Sequence, residues 1–126
     1  MMILDSLFEK VLINPINRGC RELFAVSGYA SATFANRHLS ASPEFKMNLI
    51  IGMPGKRADH LGFMSLYQRY EGRFKGFYLN SYPPVHSKVY AWYKEGGPIE
   101  GFSGSANYSQ SGFTSTQQIN QLTQED

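Results

Sequence analysis

The 126-residue sequence predicts an α/β fold, in which helices cover a central β-sheet. Segments with apolar residues at helical spacing alternate with short runs that favour strands. The strongest strand is predicted at residues 45–53, where Leu49, Ile50 and Ile51 are consecutive and their continuous apolarity predicts burial on both faces. Two extended runs around a Gly-Gly-Pro turn further indicate a β-hairpin.

The remaining elements follow in order along the chain. Leu4 and Leu7 begin a helical apolar pattern, and Asn14-Pro15 is expected to end that helix. The predicted helices cover residues 4–12, 30–39 and 60–70. The predicted strands cover residues 22–26, 45–53, 74–79, 85–93 and 99–103. The segment after Ser109 is rich in Ser, Thr and Gln and gives little local signal.

Composition predicts one packed domain over residues 1–126 and limits its surroundings. The hydrophobic fraction is 42% and the aromatic fraction 14%, which excludes a disordered tail. A net charge of +2 is too small to indicate nucleic-acid binding by itself. Cys20 is the only cysteine, so that an intrachain disulfide and a cysteine-rich metal site are excluded. With no basic leader and no run near the ~20 apolar residues of a membrane span, we expect a cytoplasmic protein without membrane contact.

Four side chains of the predicted hairpin form a candidate reaction site. Alternation along a strand places His86 and Lys88 on one face, about 7 Å apart. If the two hairpin strands pair, Ser105 and Asn107 emerge beside them, and Gly104 permits a close backbone approach to an anion.

Each of these residue types has a function in phosphoryl transfer. A histidine attacks phosphorus or moves protons near neutral pH, and a lysine neutralises the non-bridging oxygens. Serine and asparagine donate hydrogen bonds that stabilise the charge of the transition state. Since side chains supply all of these groups, the pattern predicts a phosphodiester-handling site that needs neither a metal nor another cofactor.

The pattern His86-x-Lys88 followed by Gly104-Ser105-x-Asn107 resembles the signature of the phospholipase D superfamily. The resemblance implies a central mixed β-sheet flanked by helices, an α-β-α sandwich with one half-unit per chain. It also implies that His86 forms a phosphohistidine intermediate, while Lys88 and Asn107 bind the phosphate. Because the chain carries one copy of the motif, it implies a homodimer in which two subunits share one active site.

Residues 23–31 and 103–110 are similar, more narrowly, to metal-independent type II restriction endonucleases of the NgoFVII kind. This resemblance implies DNA as the substrate. It also makes Ser27 and Gly28 candidate phosphate or DNA contacts, since they follow a strand at the edge where α/β sheets bind ligands. Enzymes of this kind usually carry a separate DNA-reading domain. The chain is therefore expected to be either a catalytic fragment or a protein directed to its target by a partner.

The sequence departs from the superfamily pattern at two positions. The long form of the motif has an aspartate where Tyr93 stands, and a glutamate that orients the nucleophilic histidine where Gln118 stands. Glutamine accepts a hydrogen bond from the imidazole but adds no charge to stabilise imidazolium. A shifted alignment that uses Glu100 or Glu125 is one alternative. A DNA-binding or dimerisation module without catalysis is another, and a hydrolase of a different phosphodiester is a third.

Other candidate residues have simpler interpretations. His38 and His60 are expected on helix surfaces, and their separation in sequence argues against a metal site with His86. The basic residues between Lys56 and Lys75, interleaved with tyrosines, are expected either to form a solvated face or to flank a DNA backbone.

Overall fold

A computed structural model describes residues 1–53, 55–79, 86–97, 99–114 and 120–125. The first helix, α1, has a π-helical part, Phe8–Ile13, and an α-helical turn, Asn14–Asn17. The other helices are α2 (Ala32–Ala41), α3 (Arg57–Arg69) and α4 (Gln110–Phe113). The strands are β1 (Met2–Ile3), β2 (Glu22–Ser27), β3 (Lys46–Ile51), β4 (Phe74–Tyr78), β5 (Val89–Tyr93), β6 (Glu100–Gly104) and β7 (Leu122–Glu125).

The described strands form one mixed sheet of seven strands in the order β1-β7-β6-β5-β2-β3-β4. The neighbours β2, β3 and β4 are parallel, and α2 and α3 connect them. The predicted hairpin is confirmed, because β5 and β6 pair antiparallel with Val89 opposite Ser103. The α/β class with a central mixed sheet and packed helices is therefore confirmed.

The hydrophobic core lies between the helices and one face of the sheet. Alternate residues of the central strands point into it, including Leu23, Ala25, Leu49 and Trp92. The indole of Trp92 donates a 2.8 Å hydrogen bond to the carbonyl of Val11 and so ties α1 to the sheet. Since these side chains share a face, their burial fixes the register of the strands.

The other face of the sheet carries half-buried and exposed side chains. Phe24 and Phe77 are exposed there, and Ile50 is half-buried. Burial of the 45–53 strand on both faces was therefore a wrong prediction: Leu49 and Ile51 are buried, but Asn48 and Ile50 on the other face are half-buried. In the described ranges the packed helices lie on the core face, and they form one helical layer of the expected sandwich.

One prediction about a helix end was wrong. Asn14-Pro15 does not end the first helix, which continues to Asn17, because Pro15 stands in the first turn of its α-helical part, where a proline is tolerated. The segments at both ends of the chain form strands, β1 and β7, which pair with each other. Ile3 and Leu122 are buried there and pair with each other, but two and four residues are too few to show a period in the sequence.

Candidate active site

The candidate residues meet at one edge of the sheet. The parallel strands β2 and β3 end there at Ser27 and Ile51, and β6 ends there at Gly104. Strand β5 runs antiparallel to β2 and begins there at Val89, just after Lys88. The carboxyl edge of parallel strands is where α/β sheets bind ligands, and the topology brings both halves of the sequence motif to it.

His86, Lys88 and Asn107 form a cluster around Gly28. A methyl group on Gly28 would lie 3.5 Å from His86 Nδ1 and 3.5 Å from Asn107 Oδ1. The ammonium of Lys88 is 3.1 Å from His86 Nδ1, and it donates a 2.7 Å hydrogen bond to the His86 carbonyl. Residues 86–88 precede β5, so the strand alternation predicted for them is wrong, yet their side chains still meet.

The amide of Asn107 is held in one orientation by residues at the end of β2. Its Oδ1 accepts a 3.1 Å hydrogen bond from the Tyr29 backbone N–H and is 3.2 Å from the Ser27 hydroxyl. Ser27 is fully buried, and its hydroxyl also accepts a 3.0 Å hydrogen bond from the Tyr108 N–H. The single Ser27 proton is shared with the Tyr29 carbonyl, which is its shorter contact. With Oδ1 accepting from the Tyr29 N–H, Nδ2 is the atom of the amide that remains as a hydrogen-bond donor for a ligand.

A buried polar chain supports the loop that carries Asn107. The phenol of Tyr90 donates a 2.6 Å hydrogen bond to the Ala106 carbonyl. On the other side of Asn107, the phenol of Tyr108 is 2.7 Å from His38 Nδ1, while His38 Nε2 is 2.8 Å from the Leu12 carbonyl. Burial raises the pKa of both phenols, which therefore stay neutral donors.

The placement of His38 on a helix surface was a wrong prediction. The side chain is fully buried on α2, and burial lowers its pKa to about 4. A neutral His38 donates through Nε2 to Leu12 and accepts through Nδ1 from Tyr108, so that both ring nitrogens are satisfied. His60 is exposed on α3, as predicted.

Ser105 and Gly104 contact β7 and the residues before it. The Ser105 hydroxyl accepts a 2.9 Å hydrogen bond from the Gln121 N–H and is 3.4 Å from Asn120 Oδ1. Gly104 donates a 3.2 Å hydrogen bond to the Lys88 carbonyl, and a Cβ at this position would collide with the Gln121 carbonyl oxygen. Within the described residues, the Ser105 side chain forms hydrogen bonds with Asn120 and Gln121 and not with His86.

Gly112 is a residue of the site that sequence reasoning missed. A Cβ there would collide with the backbone of Asn107, so only glycine lets α4 pack against the loop that carries this side chain. The hydroxyl of Ser109 caps the same helix by accepting a 3.1 Å hydrogen bond from the Gly112 N–H. The glycine five positions after Asn107 was the one available signal.

Gln118, the candidate orienting residue, lies outside the described residues. Among those that are described, no three His, Cys, Asp or Glu side chains come close enough together to hold a metal ion. No described helix is long and apolar enough to cross a membrane.

The basic run between Lys56 and Lys75 does not form one patch. Lys56 and Arg57 stand at the start of α3, whereas Arg69 stands at its other end, about 18 Å away. Arg73 is not available as a DNA contact, because its guanidinium donates to the carbonyls of Phe45, Leu39 and Ser42 at 3.0, 3.0 and 2.8 Å.

Comparison with known proteins identifies the family. A sequence model described as "NgoFVII restriction endonuclease N-terminal PLD domain" matches residues 5–125. The chain belongs to this family. The predicted resemblance to phospholipase D-type nucleases is therefore confirmed, and with it the class of phosphodiester-hydrolysing enzymes.

Solved structures show the same fold at low sequence identity. NucT from Helicobacter pylori superposes with a TM-score of 0.65 and 17% identity over 98% of this chain and 82% of that one. Yeast tyrosyl-DNA phosphodiesterase superposes with a TM-score of 0.64 and 11% identity over the whole of this chain, which spans 31% of that protein. No curated protein sequence matches the chain.

Proposed function

We propose that this phospholipase D-type domain cuts DNA through a phosphohistidine on His86, without a metal, as the catalytic domain of a type II restriction endonuclease. One observation carries the proposal: His86, Lys88 and Asn107 surround the bare backbone of Gly28. An imidazole, a cation and an oriented amide thus meet beside a glycine, a combination that suits a phosphate group.

The proposed reaction has two displacements. In the first, an imidazole nitrogen of His86 forms a bond to phosphorus, the bond to the leaving oxygen breaks, and that oxygen takes a proton from His86 of the partner subunit. In the second, water attacks phosphorus and gives its proton to the partner subunit's His86, and the phosphorus–nitrogen bond breaks. Both histidines return to their starting protonation, so the cycle consumes only water.

The other site residues are assigned by their contacts. Lys88 and Asn107 would bind the non-bridging oxygens, and Gly28 would let the phosphate approach the backbone. The Ser105 hydroxyl, which contacts Gln121, would have to rotate to join them. Ser27 is buried, which supports a role through Asn107 and not through direct contact with DNA. Gln118 would orient His86. Gly104 is proposed to shape the loop.

The proposed homodimer completes the site. We place it in the cytoplasm, directed to its target by a DNA-reading domain or a partner. The chain carries the motif once, and a two-fold axis near His86 would supply the second histidine. Equilibrium sedimentation tests this assembly. Mixing an inactive His86→Ala subunit with wild type tests the shared site, since mixed dimers would be inactive and wild-type activity would fall more steeply than by dilution.

Metal independence is tested by cleavage of plasmid DNA in EDTA, with Mg²⁺ as the comparison. The proposal expects equal rates in both conditions, because the side chains supply nucleophile, acid and charge. Activity abolished by the chelator and restored by Mg²⁺ would contradict the histidine mechanism. Phosphatidylcholine vesicles in a parallel assay test the rival substrate class, and their hydrolysis in place of DNA would favour a lipid phosphodiesterase.

One observation favours a second candidate, a DNA-binding or dimerisation module without turnover. A lysine ammonium can only donate, so its contact with Nδ1 makes that nitrogen of a neutral His86 the acceptor and places the ring proton on Nε2. Neither nitrogen then has a free lone pair with which to attack phosphorus. DNA binding without cleavage, unchanged by Gln118→Glu, would support this candidate. Cleavage by the wild-type chain would exclude it.

A further inference from the structure

We propose that an aromatic cleft between α3 and β4 binds an unstacked base of the DNA strand next to the scissile phosphate. This inference rests on the proposed function and adds a substrate contact outside the catalytic cluster. The cleft has a volume of about 340 Å³, which lies within the range of ligand pockets. Its walls are mainly apolar and aromatic, and they include His60, Phe63, Met64, Tyr67 and Tyr78.

The cleft walls form a platform suited to a planar ring. The rings of His60 and Tyr78 are stacked, with centroids 4.1 Å apart and planes 20° apart. Tyr67 and Met64 are 61% and 62% exposed, so both side chains present apolar surface to a ligand. Bases of single-stranded DNA stack on such aromatic surfaces whatever their sequence.

The position of the cleft relates it to the catalytic cluster. Ser27 pairs with Ile51, and Ile51 pairs with Tyr78, so Tyr78 is two strand spacings, about 10 Å, from the strand end beside Gly28. Both places lie on the same edge of the sheet. A strand that holds its phosphate at Gly28 therefore has a neighbouring nucleotide within reach of the cleft.

The charges at the near end of the cleft favour nucleic acid as the occupant. Lys56 and Arg57 are exposed one turn before His60, and among the described residues neither forms an ion pair. Asp59, the acidic group of the same turn, accepts a hydrogen bond from the Lys56 N–H. The helix thus presents cations toward the catalytic edge and rings behind them, which matches a backbone phosphate followed by its base.

The test compares substrates that can and cannot reach the cleft. His60→Ala and Tyr67→Ala are assayed on a single-stranded oligonucleotide and on bis(4-nitrophenyl) phosphate, with Tyr93→Ala as the control for an exposed tyrosine away from the cleft. Both cleft variants are expected to raise KM for the oligonucleotide about 5- to 100-fold, the range for loss of a base-stacking ring. Turnover of the small diester should stay within about twofold, since it makes no stacking contact.

A base-deletion cycle identifies the occupant. Oligonucleotides with one abasic position are scanned by fluorescence anisotropy, and one position should weaken binding to wild type yet leave binding to Tyr67→Ala unchanged. An unchanged oligonucleotide affinity in both cleft variants overturns the inference, as does an equal loss with Tyr93→Ala. If wild type hydrolyses neither these substrates nor plasmid DNA, the proposed function fails, while the anisotropy result still decides the cleft.

Discussion

The two sides of the candidate active site are built differently. On one side, Asn107 is held by the Tyr29 N–H, by contact with the buried Ser27 hydroxyl and by a loop anchored through buried phenols. On the other side, His86 is exposed and precedes β5, and its described side-chain hydrogen-bond partner is Lys88. The side proposed to bind phosphate is therefore preorganised by the chain itself. The side proposed to carry the nucleophile still needs an acceptor at Nδ1 and a binding partner for Lys88.

In the proposed reaction, this difference gives the substrate a role in preparing His86 for attack. A bound phosphate offers oxygen acceptors to the Lys88 ammonium, which would then leave His86 Nδ1. A hydrogen-bond acceptor such as Gln118 could then fix the proton on Nδ1 and leave Nε2 free to attack. In this proposal Asn107 keeps its orientation, and His86 and Lys88 adjust their contacts when the phosphate binds.

The largest expected effect is the loss of activity in His86→Ala, a change on the exposed side of the site. We expect activity to fall at least about 10³-fold, because the variant has no atom to attack phosphorus. The free energy of unfolding should change by less than about 0.5 kcal/mol, since the side chain is exposed. Ser87→Ala, an exposed neighbour, is the matched control and should keep full activity. Retained cleavage by His86→Ala would falsify the assignment of the nucleophile.

The second expected effect is a loss of folding stability at acidic pH, caused by His38 on the buried side. The folded state keeps His38 neutral down to pH about 4, whereas the unfolded state binds a proton below its ordinary pKa of 6.5. The stability that His38 contributes is therefore fully present above pH 6.5. It should be lost progressively as pH falls from 6.5 to 4, by up to about 3 kcal/mol.

Urea unfolding at several pH values measures this loss, with His38→Gln as the comparison. The variant should be less stable at pH 7.5 and should show a flatter dependence on pH. The same slope in both proteins would assign the acid sensitivity to another group.

The smallest expected effect tests whether Ser27 acts through Asn107. Ser27→Ala should lower kcat/KM about 10-fold, because the amide of Asn107 loses one of its orienting contacts. In an Asn107→Ala background the same change should have almost no effect on turnover, since there is no amide left to orient. If the double variant loses activity by the product of the two single losses, Ser27 has a general structural role.

Sequence reasoning predicted the exposed side better than the buried one. His86, Lys88 and Asn107 carry recognisable chemistry, and hairpin pairing alone is enough to bring their segments together. The role of Ser27 depends on a contact across 80 positions, which no local pattern encodes. Gly112 depends in the same way on how two backbones pass each other.

His38 shows a signal that was present but was given the wrong weight. It lies four residues after Phe34 and one before Leu39, on the buried stripe of α2. Its polar type favoured a surface position, yet its ring had two buried partners to satisfy it. Strand β7 is the opposite case, since Leu122 is its one buried side chain and four residues show no period in the sequence.

The central claim is that His86 forms a covalent bond to phosphorus. The most direct measurement is mass spectrometry of the peptide that contains His86, after rapid quenching at alkaline pH during turnover of a DNA substrate. The account predicts a phosphorus-linked adduct on His86 in the wild-type protein and none on any peptide of His86→Ala. Active protein that shows no adduct on His86 at any quench time, or an adduct on another residue, would contradict it.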